Sequence, residues 1–252
     1  MKLINKFKSN NFDTRKSNKI SHIIVHYTAL NGSKEAIEYM CDPKNKVSSH
    51  YFISKQGLIY NLVDEKKRAW HAGESYWDGI KDLNSCSIGV ELDYNPKKNK
   101  YYKKKLIISF MNLILKLKKK YKIHNKNILG HSDIAPYRKI DPGKYFPWNK
   151  INALNNFKKT KVLKNIENSL EIWFKKNNLI YQKKKILFML AFIGYEVEPS
   201  INDINKYNNL LKSYSYRFIN FNKLKIIRKK RYSLIKRHFI KEVLTFKGSF
   251  YS

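Results

Sequence analysis

SHIIVHYT, residues 21–28, holds an unbroken β-branched core, Ile23-Ile24-Val25, and ends on an imidazole, His26. A short apolar run of this kind suits a strand buried on both faces of a sheet. Open α/β sheets place their ligands at the carboxyl ends of their strands, which is where His26 falls. SIGVEL at 87–92 is a second strand of the same type and carries Glu91 near its end. NILG at 127–130 is a third, and His131 follows it directly. His26, Glu91 and His131 are therefore expected to gather at one end of one sheet.

HYFISKQGLIYNLV at 50–63 places Gln56-Gly57 between two strand-like runs and reads as a β-hairpin. Between residues 101 and 123, Leu106, Phe110, Leu113, Ile114 and Leu117 recur at helical spacing with lysines opposite them. That is an amphipathic helix whose apolar stripe packs on the sheet. Each such side chain contributes about 1.5–3 kcal/mol when buried, so this helix anchors the domain. The fold class that follows is α/β, a mixed β-sheet flanked by helices over residues 21–155. An N-terminal extension at 1–20 precedes it and a small all-α domain at 160–252 follows, with helices at 161–177, 183–194, 202–219 and 230–246.

The net charge of +33 comes from 52 basic against 19 acidic residues. Aromatics at 14% and hydrophobics at 42% exclude global disorder despite that charge. Only seven of the basic residues are Arg, the residue favoured for bidentate base and phosphate contacts. The excess Lys accompanies Asn, Ile and Tyr, whose codons are AT-rich, and reads mainly as mutational drift. RKKR at 228–231 is a charge run on a solvated face, and no specific nucleic-acid partner is expected. The lysines would still concentrate an acidic substrate, an attraction that salt screens. Cys41 and Cys86 are too few for a disulfide framework and read as small half-buried residues, with one bridge as the alternative. The first 20 residues contain no apolar signal-peptide core, which points to the cytoplasm. ILFMLAFIGY at 186–195 is about half a membrane span, so no transmembrane segment is expected. A monomer is the expected state.

GHSDIAPYRKIDPG at 130–143 contains His131, Lys139 and Asp141. With His26 it offers two imidazoles and one carboxylate, the ligand count of a hydrolytic zinc site with its fourth position open. Ten residues part His131 from Asp141, too many for neighbours on one helix, and Pro136 and Pro142-Gly143 favour a loop that folds back.

VHYT around His26, VSSHYFIS around His50, AWHAG around His71, SIGVELD around Glu91 and HSDIAPYRKIDPGKYFPW around His131 occur in one order. That order resembles the N-acetylmuramoyl-L-alanine amidases of the bacterial AmpD/AmiD kind, relatives of the peptidoglycan recognition proteins. FDTR at 12–15 and LNSCSIGVE at 83–91 bring it nearer the AmiD type, and the resemblance runs from about residue 12 to residue 150. It implies one Zn2+ per chain on His26, His131 and Asp141, with Glu91 as the base toward the attacking water. Lys139 becomes the oxyanion stabiliser, and His50, His71, Trp70 and Tyr27 become substrate-groove residues. The implied substrate is the amide between N-acetylmuramic acid, or its anhydro form, and L-alanine, in peptidoglycan or muropeptides. An exported AmiD-like relative would work in the periplasm or cell envelope. Trp77 and Trp148 are either stacking surfaces or core. His22 is expected to pack, and His124 and His238 to be solvated. FMLAFIGYEVEPS and NKYNNLLKSYSYRF weakly resemble a peptidoglycan-binding module, here degenerate. The alternative function is a module that binds muropeptides without cleaving them. Relatives of that kind lose zinc ligands, whereas all three, with Glu91 and Lys139, are present here.

Overall fold

A computed structural model describes residues 3–151, 161–219 and 230–248. The chain divides into two units, Met1–Tyr76 with Ile80–Pro147, and Trp77–Gly79 with Trp148–Ser252. In the first, the strands are β1 (Leu3–Ile4), β2 (Phe12–Thr14), β3 (His22–Tyr27), β4 (Tyr51–Ile53), β5 (Ile59–Asn61), β6 (Lys67–Ala69), β7 (Ser87–Leu92) and β8 (Ile128–Gly130). Six of them form a mixed sheet in the order β1-β5-β4-β7-β3-β8, and β2 pairs with β6 in a separate ribbon. All pairs in the larger sheet are parallel except the β4–β5 hairpin. The interior position of β3, between β7 and the edge strand β8, explains its composition, since Ile23, Ile24 and Val25 have no exposed surface.

The hairpin turns where expected. Gly57 adopts φ +85, and a Cβ there would stand 2.7 Å from Ser109 Oγ, so the turn and the helix behind it both require glycine. That helix is the third of this unit, after α1 (Ser33–Cys41) and α2 (Leu83–Cys86). It is α3 (Lys104–Tyr121), and it buries Leu106, Phe110, Leu113, Ile114 and Leu117 while packing beside β4. Its last turn carries Lys118, Lys119 and Lys120, which complement the negative end of the helix dipole. On α1, Ala36, Ile37 and Met40 close over Phe52 and Leu62. The short α4 (His131–Ile134) follows β8 without a linker.

One expectation changes here, and the reading of Cys41 and Cys86 as unpaired residues holds. Residues 1–20 are more than an extension, because β1 joins the sheet edge and β2 pairs with β6. Strands of two and three residues are too short to leave a periodic signal. Cys41 and Cys86 are both free thiols.

The helical unit contains α5 (Lys161–Lys176), α6 (Gln182–Ile193), α7 (Ile204–Phe218) and α8 (Arg231–Gly248), close to the expected spans. Its core gathers Phe174, Met189, Leu190, Leu210, Tyr214 and Ile235. Trp77 and Trp148 belong to this core, with the Arg217 guanidinium 5.4 and 5.5 Å from their ring centroids. Gly194 lets Trp77 approach, since a Cβ there would lie 2.9 Å from the indole Cε2. His238 is a correction. It is buried on the inner face of α8, 3.3 Å from the Tyr214 hydroxyl, with Glu242 one turn on at 3.6 Å. Arg228 and Lys229 of the RKKR run lie outside the described residues. Among the described residues, no helix is long and apolar enough to cross a membrane.

Glu171 on α5 ties three helices together. Its carboxylate accepts from Lys185 at 2.6 Å, Lys236 at 3.0 Å and the Tyr232 hydroxyl at 2.5 Å. Burial opposes its ionisation, but these donors outweigh burial and lower its pKa from 4.5 to about 2. A carboxylate lowered in the folded state adds stability that is complete above its unfolded pKa and is lost as pH falls through the folded one. Glu171→Gln is expected to lower stability at neutral pH and to flatten its pH dependence between 4.5 and about 2, read by thermal unfolding across that window.

Candidate metal centre

Strand register assembles the centre. β3 and β7 run parallel with His26 opposite Glu91, so the two side chains leave the same face. β8 pairs Val25 with Gly130, which brings His131, the next residue, level with His26. The following loop is folded back by hydrogen bonds. The Ser132 N–H donates to the Asp141 carbonyl at 2.9 Å, and the Tyr102 hydroxyl donates to the Pro142 carbonyl at 2.8 Å. Gly143 completes the turn at φ +77.

Three donor atoms converge as a result. His26 Nδ1 lies 2.9 Å from His131 Nδ1 and 3.2 Å from Asp141 Oδ2, and His131 Nδ1 lies 3.1 Å from that same oxygen. Ligand atoms around a tetrahedral ion with bonds of about 2.0–2.1 Å stand roughly 3.3 Å apart, so the triangle fits a small transition-metal ion with slight expansion. His131 Nε2 donates to the Ala72 carbonyl at 3.1 Å, which leaves its Nδ1 facing inward. All three residues are buried.

The electrostatics agree with this donor set. Burial and the neighbouring His131 lower the His26 pKa to about 4, so the ring is neutral at pH 7. Burial alone would raise the Asp141 pKa, but His131 and His26 outweigh it and hold the carboxylate well below its usual range. Glu91 goes the other way. Burial and then the charge of Asp141 raise it to about 8, with Lys139 opposing. Glu91 Oε2 is buried without a hydrogen-bond partner, a position that costs about 1–3 kcal/mol unless a ligand or ion meets it. Lys139 is half-buried, and its charge falls on both His26 and Glu91.

Two expected groove residues lie deeper than expected. His50 has no exposed surface; its Nδ1 accepts from the Gly89 N–H at 3.0 Å and its Nε2 faces the Lys67 carbonyl at 3.0 Å. His71 is buried behind His26, with Nδ1 3.1 Å from His26 Nε2. Asn84 explains the inward turn, since its Oδ1 accepts the N–H groups of His71 and Ala72 at 3.1 and 2.8 Å. Neither histidine lines a groove. Trp70 and Tyr27 stay half-buried, and Tyr27 follows His26 directly on β3. Sequence reasoning missed Arg15, whose guanidinium donates to the carbonyls of Glu65, Asn84, Ser85 and Ser87 at 2.8–3.0 Å. It also missed Gly89, although a glycine inside a β-branched run signals a close approach. Transition-metal ions are expected to raise the unfolding temperature of the protein, and Asp141→Ala to abolish the rise. At 100 times the dissociation constant the gain is about 2.7 kcal/mol, measurable by calorimetry.

A family model described as N-acetylmuramoyl-L-alanine amidase matches residues 16–144. The chain is 33% identical to N-acetylmuramoyl-L-alanine amidase AmiD of Escherichia coli K12 over 152 residues, 53% of this chain and 52% of AmiD. It thus spans about half the length of that relative. It is 34% identical to 1,6-anhydro-N-acetylmuramyl-L-alanine amidase AmpD of Haemophilus influenzae over 161 residues, 56% of this chain and 86% of AmpD. Among solved structures, the complex of E. coli AmiD with anhydro-N-acetylmuramic acid-L-Ala-D-gamma-Glu-L-Lys matches with a TM-score of 0.64 at 25% identity, covering 81% of this chain and 83% of that one. AmpDh3 of Pseudomonas aeruginosa matches with a TM-score of 0.64 at 26% identity, covering 86% and 90%.

Proposed function

This chain belongs to the N-acetylmuramoyl-L-alanine amidase family, and from that premise we propose that it hydrolyses the amide between N-acetylmuramic acid, or its anhydro form, and L-alanine, with zinc as the resident ion. The observation that carries this reading is the convergence of His26, His131 and Asp141 beside Glu91, whose Oε2 is buried without a partner, inside the matched region. Two imidazoles and one carboxylate are a hydrolytic zinc set. A zinc ion held by these three residues supplies Lewis acidity, polarising the scissile carbonyl and lowering the pKa of a water from about 15.7 to near 7.

The protein's own groups then follow. Glu91, made a stronger base by its desolvation, takes the proton of the attacking water in its ionised form and returns it to the departing alanine amine. Lys139 sets a fixed cation toward the same space and meets the negative charge that develops on the carbonyl oxygen. Tyr27 and Trp70 are the half-buried aromatics available to hold the sugar or stem. Stem peptides carry carboxylates, so the charge of +33 favours encounter, and added salt slows it.

The test is mass spectrometry of muropeptides incubated with the zinc-loaded protein, with anhydro and reduced intact sugars offered side by side. Free L-alanyl stem peptide is expected, and the faster sugar identifies the preferred substrate. Glu91→Gln is expected to lower kcat about 10²–10⁴-fold, and Lys139→Ala about 10²–10³-fold. Intact muropeptides after prolonged incubation with the zinc-loaded protein would contradict the amidase reading and favour a protein that only binds wall fragments.

A further inference from the structure

We propose that His71 is a positioning residue. Through the chain His26–His71–Ser87–Leu83 it fixes which nitrogen of His26 faces the metal. This inference rests on the zinc-amidase reading and adds to it a residue that never touches ion or substrate. The direction of the chain follows from its last member. A backbone carbonyl can only accept, so the Ser87 hydroxyl donates to the Leu83 carbonyl. The Ser87 oxygen is then the acceptor for His71 Nε2, 3.3 Å away, which carries the proton. His71 Nδ1 keeps its lone pair and accepts from His26 Nε2 at 3.1 Å. His26 Nδ1 is left bare, and it is this atom that meets His131 Nδ1 and Asp141 Oδ2. The Ala72 carbonyl does the same for His131 in one step.

The fold builds a seat for this ring. A Cβ at Gly89 would stand 2.4 Å from His71 Cγ and 2.5 Å from Cδ2, so His71 lies directly on glycine backbone. The His26 and His71 rings meet at 74° with centroids 5.2 Å apart, an edge contact that suits an N–H pointed at a lone pair rather than stacking. Alternation along β7 puts Ser87, Gly89 and Glu91 on one face. Ser87 anchors the His71 ring, Gly89 seats it, and Glu91 stands beside His26. Buried space is thus committed to orienting a ring, whereas packing alone would be met by an apolar side chain.

The decisive comparison is between His71→Phe and His71→Asn. Phenylalanine keeps a flat ring over Gly89 and deletes both nitrogens; asparagine keeps an acceptor within reach of His26 Nε2. Zinc affinity, read by chelator competition, is expected to fall about 10–100-fold in the phenylalanine variant. The absorption spectrum of its cobalt-loaded form is expected to change, while the asparagine variant stays near wild type in both. Wild-type zinc affinity and an unaltered cobalt spectrum in His71→Phe would overturn the proposal, as would equal loss in both variants. Should His71→Phe fail to fold, Ser87→Ala replaces it: it removes the acceptor that sets the His71 tautomer and is expected to weaken zinc binding relative to His71→Asn, with equality counting against the proposal. Wild-type protein that takes up no zinc would instead sink the amidase reading, and the inference with it.

Discussion

The parallel pairing of β3 with β7, in the register that sets His26 opposite Glu91, is the constraint on which the rest depends. Period-two alternation divides β7 between two tasks. Ile88, Val90 and Leu92 have no exposed surface and belong to the core, while Ser87, Gly89 and Glu91 build the centre. A slip of one residue would exchange these faces, burying Ser and Glu among aliphatic side chains and turning the apolar set toward His26 and its partners. Hydrophobic packing therefore enforces the geometry of the site, because the register that satisfies the core also aligns His26 with Glu91.

Around that pairing, the remaining parts act to hold polar groups in a dry interior. Buried polar atoms cost free energy unless partnered, and here their partners also orient the donors. Arg15 gathers the carbonyls of Glu65 and of Asn84, Ser85 and Ser87, and Asn84 fixes the backbone of His71 and Ala72. The result is a centre in which His26 and His131 each present Nδ1 inward because Nε2 is engaged behind. Glu91 is the exception, with one carboxylate oxygen left unpartnered, and it is the group assigned to proton transfer.

Much of this was legible in the sequence, for physical reasons that differ between elements. β3, β7 and α3 are long enough, and buried enough, for composition and period to specify them, and α3 buries the five residues its spacing singles out. His26, His131 and Asp141 were readable because ordered motif blocks surround them. The depth of His50 and His71 was not. Each sits in a short segment without a period of its own, whose direction is set by distant partners, Gly89 and Asn84, that no local pattern reveals. The same holds for β1 and β2, whose strand character comes from the edges they pair with rather than from their own residues. His238 looked solvated because its neighbours are lysines, yet α8 turns it onto Tyr214.

Two imidazoles that turn Nδ1 inward and one carboxylate make a candidate metal site at the end of this sheet. Anomalous diffraction at the zinc edge from crystals of the zinc-loaded protein tests it most directly. One strong peak is expected, bonded to Nδ1 of His26, Nδ1 of His131 and a carboxylate oxygen of Asp141, with the two Nε2 atoms still facing His71 and the Ala72 carbonyl. A peak elsewhere in the chain, or ligation through Nε2 of either histidine, would contradict it.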